Sequence, residues 1–284
     1  MTAEVVVMNK LAIALAADSA ASITTPTGPK VFNTANKLFA LSKFAPVGLL
    51  VYNAPEINGV PLEVIVKEYR EHIGRKRFQT LKEYVDSFSS FLQDGPPMGK
   101  ESQEINFGGL VHFGLRQVYL RAVRIRRHDE TPSHDFNVYL RRAVDELVKV
   151  AKRRGRLKAF EDIDAEKVWK ERRQLFSKLH EIVIEQFKEE HEIPDLPGKL
   201  RKDIEMAAIL VVFSKGRLAG YTGIVIAGYG DKEYFPSYVQ YETDGFTPYG
   251  LRCTDADMST ISHTNGAELG AFAQREMTQR HLEQ

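Results

Sequence analysis

Cysteine occurs once in the chain, at Cys253, which excludes an internal disulfide and fits a reducing compartment. No apolar run reaches the length of about 18 residues that a membrane-spanning helix needs, so no span is expected. The first residues alternate and carry Glu4 where a secretory leader has a basic start and an apolar block, so no signal peptide is expected either. An excess of one charge is also missing: 39 Lys and Arg against 38 Asp and Glu leave a net charge of +1. General attraction to nucleic acid or to an anionic membrane is thereby excluded, and any basic partner surface has to be local. The eight histidines show neither HExxH nor paired-cysteine spacing. His112, His128, His134 and His180 read as packed or solvated side chains of helical segments, and no metal or cofactor is expected. What is present is a 43% apolar content with 10% aromatics over 284 residues, enough for a sizeable core. Length and composition describe a soluble cytoplasmic protein of one large domain, or of one domain with a sizeable insertion.

The first third has the periodicity of β-strands. Residues 3–8 (AEVVVM) and 11–17 (LAIALAA) are short and rich in Val, Ile and Ala, and Asn9-Lys10 between them is a hairpin signal. A pairing centred on Lys10 sets Thr2 opposite Asp18, and a slip of one residue separates the two faces. Residues 19–33 have the Ser, Thr, Pro and Gly content of a loop. Two further strands are expected at residues 37–42 and 47–52. Beyond Asn53 the period turns helical: residues 61–73, residues 80–92 and a long tract at 107–191 broken near Thr131-Pro132 and Gly155, with residues 200–213 as a further helix or a helix-to-strand passage. Strands return at 222–229, 236–242 and 251–262, and residues 266–281 are expected to close the chain as a helix. The arginines of the interior tract, from Arg121 to Arg156, read as a solvated helix face balanced by Asp145, Glu146, Glu161 and Glu171, which argues against nucleic-acid binding. Tyr119 and Tyr139 at helical spacing read as core or interface residues, and Cys253 reads as a buried strand residue rather than a nucleophile.

Thr2 directly follows the initiator Met1. If Met1 is removed, the Thr2 hydroxyl is a nucleophile with its own base attached, because the freed α-amine titrates at roughly 7.7–8.0. In the order Thr2, then Leu15-Ala16-Ala17-Asp18-Ser19, then Asn36-Lys37-Leu38, then residues 47–54 leading into a helix, the chain resembles the N-terminal-nucleophile (Ntn) hydrolases of the proteasome β-subunit type. The stretches ALAADSAASI, FNTANKLFALSKFAPVG and AFAQREM look most like a bacterial proteasome-like group. The resemblance covers about the first 75 residues well and residues 222–284 more loosely.

The resemblance implies an α+β, four-layer αββα sandwich across residues 1–284, with a large helical insertion at about 95–200. It also implies a threonine hydrolase that cleaves amide bonds through an acyl-enzyme. It places Thr2 as nucleophile, Asp18 with Ser19 as the Asp-Ser motif, and Lys37 as the lysine opening the third strand, with Lys30 as a rival. A lysine beside the threonine keeps positive charge at the site and lowers the proton affinity of the amine. The Asn53-Ala54 backbone takes the oxyanion-donor position, where such enzymes place glycine. Ser262, or Ser259, corresponds to a supporting serine. The implied partners are a peptide or unfolded-protein substrate, a homo-oligomeric ring and an unfoldase. The family's last strands, which supply a later Asp and Ser, have no counterpart before Gln284. A non-proteolytic amidase on the same fold and an inactive scaffold that keeps Met1 both remain open.

Overall fold

The computed structural model describes residues 3–19, 21–25, 28–32, 36–95, 98–188, 190–218 and 220–273. These form an α+β protein with antiparallel sheets, divided into two compact units. The first unit comprises Met1–Gly99, Gly220–Gly245 and Cys253–Gln284, and the second Lys100–Ala219 and Phe246–Arg252. Of the residues read as an insertion at about 95–200, those from Lys100 onward fall in the second unit, which also takes in the chain up to Ala219.

The first unit begins with β1 (Ala3–Asn9) and β2 (Ile13–Ala17). They are joined at a two-residue turn, Lys10-Leu11, in which the Asn9 N–H donates to the Ala12 carbonyl and the Asn9 side chain accepts the N–H groups of Leu11 and Ala12. The resulting register pairs Glu4 with Ala17 and Met8 with Ile13, one residue away from a pairing centred on Lys10. The Asn9 side chain explains the shift, since it closes the turn around two residues instead of one. Residues 19–33 are not a loop throughout: β3 (Ala21–Thr25) and β4 (Gly28–Phe32) pair as a hairpin, as the Ile-Thr-Thr and Val-Phe runs favour.

Next come β5 (Leu38–Ala40) and β6 (Val47–Asn53), then the short pair β7 (Glu56–Ile57) and β8 (Val60–Pro61). Two helices follow, α1 (Leu62–Ile73) and α2 (Leu81–Asp94). Thr80 caps α2 by accepting the Glu83 N–H, while the Glu83 carboxylate accepts the Gln79 N–H, close to a reciprocal capping box. Burial along α1 falls on Leu62, Ile65, Val66, Tyr69 and Ile73, the spacing of one helix face.

The second unit is helical: α3 (Lys100–Arg127), α4 (Phe136–Arg154), α5 (Ala165–Glu171), α6 (Arg173–Lys188) and α7 (Gly198–Phe213). Its core runs from Phe107 through Tyr119, Phe136, Tyr139 and Phe176 to Phe213. Tyr119 and Tyr139 are fully buried there. Gly114 lets α3 approach α7 closely, because a Cβ at that position would lie 2.9 Å from the Ala208 carbonyl oxygen.

Strands then resume with β9 (Thr222–Gly228), β10 (Ser237–Thr247), β11 (Gly250–Cys253), β12 (Asp257–Thr260) and β13 (Ala267–Ala273). A six-stranded sheet runs β11-β10-β9-β6-β5 with β12 on β10, and a three-stranded sheet runs β13-β1-β2. The two sheets share a core of Val6, Met8, Leu50, Tyr52, Val225, Ala227, Tyr238, Ile261 and Phe272. At the end of the described chain the expectation of a helix over 266–281 is corrected for residues 267–273, which form a strand paired along all of β1. Alternation decides this: Glu268, Gly270 and Phe272 turn inward while Ala267 and Leu269 stay exposed.

Candidate functional site

β1 and β2 belong to one sheet and β5 and β6 to the other, and the ends of these strands assemble a cluster of three charged side chains. Val6 and Met8 of β1 face the shared core, and the same parity carries Glu4 inward, where it is fully buried. Asp18 follows the last residue of β2, and Lys37 precedes the first residue of β5. The Lys37 carbonyl accepts the N–H of Val51 at 2.9 Å, which fixes this residue against β6.

Lys37 is 8% exposed and forms a salt bridge with Asp18 by donating from Nζ to Oδ1. Its Nζ also lies 3.8 Å from Oε1 of Glu4, an ion-pair separation beyond hydrogen-bond reach. Neither carboxylate oxygen of Glu4 has a hydrogen-bond partner among the described residues. Burial pushes the Glu4 carboxyl up to about 7; Lys37 opposes the shift and Asp18 adds to it. An ammonium flanked by an anchored carboxylate and a carboxyl that changes charge near neutral pH can hold a proton, orient a nucleophile, or stabilise developing negative charge.

Of the residues singled out in the sequence, Asp18 and Lys37 are thus brought together. Ser19 is exposed beside Asp18. Thr2 lies outside the described residues. Asn53 ends β6 two residues past Val51, at the end of the sheet that Lys37 occupies, and takes a left-handed backbone with φ 68°. Its side-chain amide donates to the Tyr221 carbonyl, and the Ala54 N–H donates to the same oxygen at 3.4 Å. Lys30, the rival lysine, sits on β4 opposite Ile23.

The two serines are not brought to Lys37. Ser259 on β12 donates to Glu268, which pairs with Met8, four residues along β1 from Glu4 and hence about 13 Å away at a strand's rise. Ser262 closes a turn with Asn265 and Thr264 at the Lys10 end of β1, where Lys10 donates to the His263 carbonyl. Cys253 is half-buried at the end of β11. Among the described residues no group of three His, Cys, Asp or Glu side chains is placed to hold a metal ion. No helix of the described residues is long and apolar enough to cross a membrane.

Two features escape a reading of the sequence. Glu4 is one; its signal is an acidic residue at an inward position of the alternating EVVVM run. The second is a row across three strands, in which Tyr52, Gly223 and Glu242 are register neighbours. The Tyr52 ring lies over Gly223, where a Cβ would come within 2.1 Å of it, and its hydroxyl donates to Glu242 at 2.9 Å while accepting from Gln240. Burial first, and Glu242 after it, push the Tyr52 phenol well above its ordinary range. Tyr52 also stacks on Phe272, the register partner of Glu4, which ties the buried row to the charged cluster. No protein-family model, curated protein or solved structure matches the chain.

Proposed function

We propose that this chain is an N-terminal threonine hydrolase of the proteasome-like type, cleaving amide bonds in peptides or unfolded protein. The observation that carries the reading is the Asp18–Lys37 salt bridge at the end of two packed antiparallel sheets, beside the start of β1. Thr2 directly precedes Ala3, the first residue of β1, and this reading has the nucleophile act at that end of the sheets. On this reading the shared core of the two sheets is the ββ interior of an αββα sandwich, with α1 and α2 in one helical layer.

In the proposed reaction the Thr2 hydroxyl adds to the carbonyl carbon as the freed α-amine takes its proton. Lys37, held by Asp18, keeps positive charge beside the amine, so the amine is unprotonated near neutral pH. Collapse of the tetrahedral intermediate breaks the C–N bond, and the proton passes from the α-ammonium to the leaving nitrogen. Water then adds to the acyl ester as the amine takes one of its protons, and collapse of that intermediate breaks the ester C–O bond, returning the proton to Thr2 Oγ and releasing the acid. The backbone at Asn53-Ala54 is the proposed oxyanion donor, which requires the Ala54 N–H to turn from the Tyr221 carbonyl. No cofactor takes part. The resemblance adds a cytoplasmic homo-oligomeric ring that encloses the sites and receives substrate from an unfoldase.

The test uses protein made without tags. Intact mass should show loss of Met1, and Thr2→Ala should lower hydrolysis of a peptide and small-amide panel by about 10³-fold or more at an unchanged melting temperature. Retention of Met1, or undiminished turnover in Thr2→Ala, contradicts the reading. Turnover of small amides without peptides would replace the peptidase with an amidase.

A further inference from the structure

We infer that Glu4 is a positioning residue for Lys37, a second carboxylate that engages the ammonium only once ionised and so makes the Asp18–Lys37 pair depend on pH. The inference deepens the threonine-hydrolase reading in its activity arm, and its titration arm stands without that reading.

The geometry is specific. Among the described residues, Glu4 is fully buried, both of its oxygens lack hydrogen-bond partners, and Lys37 is the cation paired with it, at 3.8 Å. A carboxylate in such a place either ionises with Lys37 as its counter-charge or takes a proton and leaves Lys37 to Asp18 alone. Among the described residues the groups around it are few. Lys37 approaches from the start of β5 and Asp18 from the end of β2; the register partners are Ala17 on β2 and Phe272 on β13, neither of which titrates. Tyr52 on β6 stacks on Phe272 and has its hydroxyl committed to Glu242. The Glu4 carboxyl therefore switches between two states near neutral pH. With Glu4 protonated, the three-residue cluster carries no net charge. With Glu4 ionised, it carries one negative charge, and Lys37 is drawn between two carboxylates. Added negative charge beside the α-amine raises its proton affinity, so ionised Glu4 restrains the base that the hydrolase needs.

The experiment follows carboxyl protonation by infrared spectroscopy, and separately kcat/KM, across pH in the full-length chain. Wild type should show a carboxyl titrating with its midpoint at about 7, absent in Glu4→Gln. Lys37→Met should move that midpoint up, because it removes the cation that opposes the shift, and Asp18→Asn should move it down. Lys37→Arg keeps the charge and should leave the midpoint in place, which covers the case in which Lys37→Met fails to fold. Hydrolysis by Glu4→Gln should lose the corresponding inflection, and its acid limb should move to lower pH. Absence of any carboxyl titrating above pH about 6 in wild type, or a midpoint indifferent to Lys37→Met and Asp18→Asn, overturns the inference. A correct titration in a protein whose Thr2→Ala variant keeps full turnover would leave Glu4 coupled to Lys37 and remove the hydrolase reading alone.

Discussion

Glu4 in the sheet unit and Glu205 in the helical unit are both buried carboxylates, and their surroundings could hardly differ more. Glu205 accepts from Trp169 Nε1 at 2.7 Å and lies 3.0 Å from His180 Nδ1, whose Nε2 is in turn 2.8 Å from the Tyr119 hydroxyl. Both oxygens are satisfied, and the network ties α3, α5, α6 and α7 together with no opening to solvent at His180. Glu4 has the burial, but among the described residues neither of its oxygens has a hydrogen-bond partner. A saturated buried network fixes a fold; a buried acid left unsatisfied beside a cation is stored electrostatic strain, of the kind that accompanies chemistry.

Four substitutions sharpen or break that contrast. Lys37→Met should lower hydrolysis by about 10²–10⁴-fold, because the site loses its positive charge, and steady-state assays on folded protein measure it. Glu205→Ala should instead remove about 3 kcal/mol of stability by stranding the donors of Trp169 and His180, read by urea unfolding, with activity per folded molecule unchanged.

Glu4→Gln should change stability with the opposite sign at neutral and alkaline pH. The folded-state pKa of Glu4 is raised from 4.5 to about 7, so between those values the native state keeps a proton that the unfolded chain has lost. Stability therefore falls as pH rises through this window, by up to about 3 kcal/mol, and stays at the lower level above it. The difference between wild type and Glu4→Gln in unfolding free energy, followed from pH 4 to pH 9, should trace that fall. A flat difference would place Glu4 with Glu205 as a purely structural acid. The smallest effect belongs to Tyr119→Phe, about 1 kcal/mol with no change in pH dependence, since it removes one hydrogen bond from His180 and no charge.

Much of the fold was legible because its strands and helices are local events. The alternation of residues 3–8 and the apolar run at 47–52 gave β1 and β6, and the four-residue spacing in 61–73 gave α1. The parts that were not legible are non-local. Residues 267–273 pair with a strand more than 250 positions earlier, and only that pairing turns a sequence with helix-forming residues into β13. The register of β1 on β2 turned on one side chain, Asn9, closing a two-residue turn. The hairpin β3–β4 was hidden by the Pro and Gly residues that also suit a loop. At the site, Asp18 and Lys37 were singled out by the family resemblance, and the strand-type residues that follow Lys37 favoured it over Lys30. Glu4 was overlooked because an acid in a strand reads as solvated until the parity of its neighbours is followed inward.

The central claim is that a freed Thr2 reacts under the influence of Lys37, and labelling with a threonine-directed electrophile tests it most directly. Peptide mapping should find the adduct on Thr2 at an N-terminus lacking Met1, with none in Thr2→Ala and sharply less in Lys37→Met. An adduct elsewhere in the chain, or labelling that ignores Lys37→Met, would contradict it.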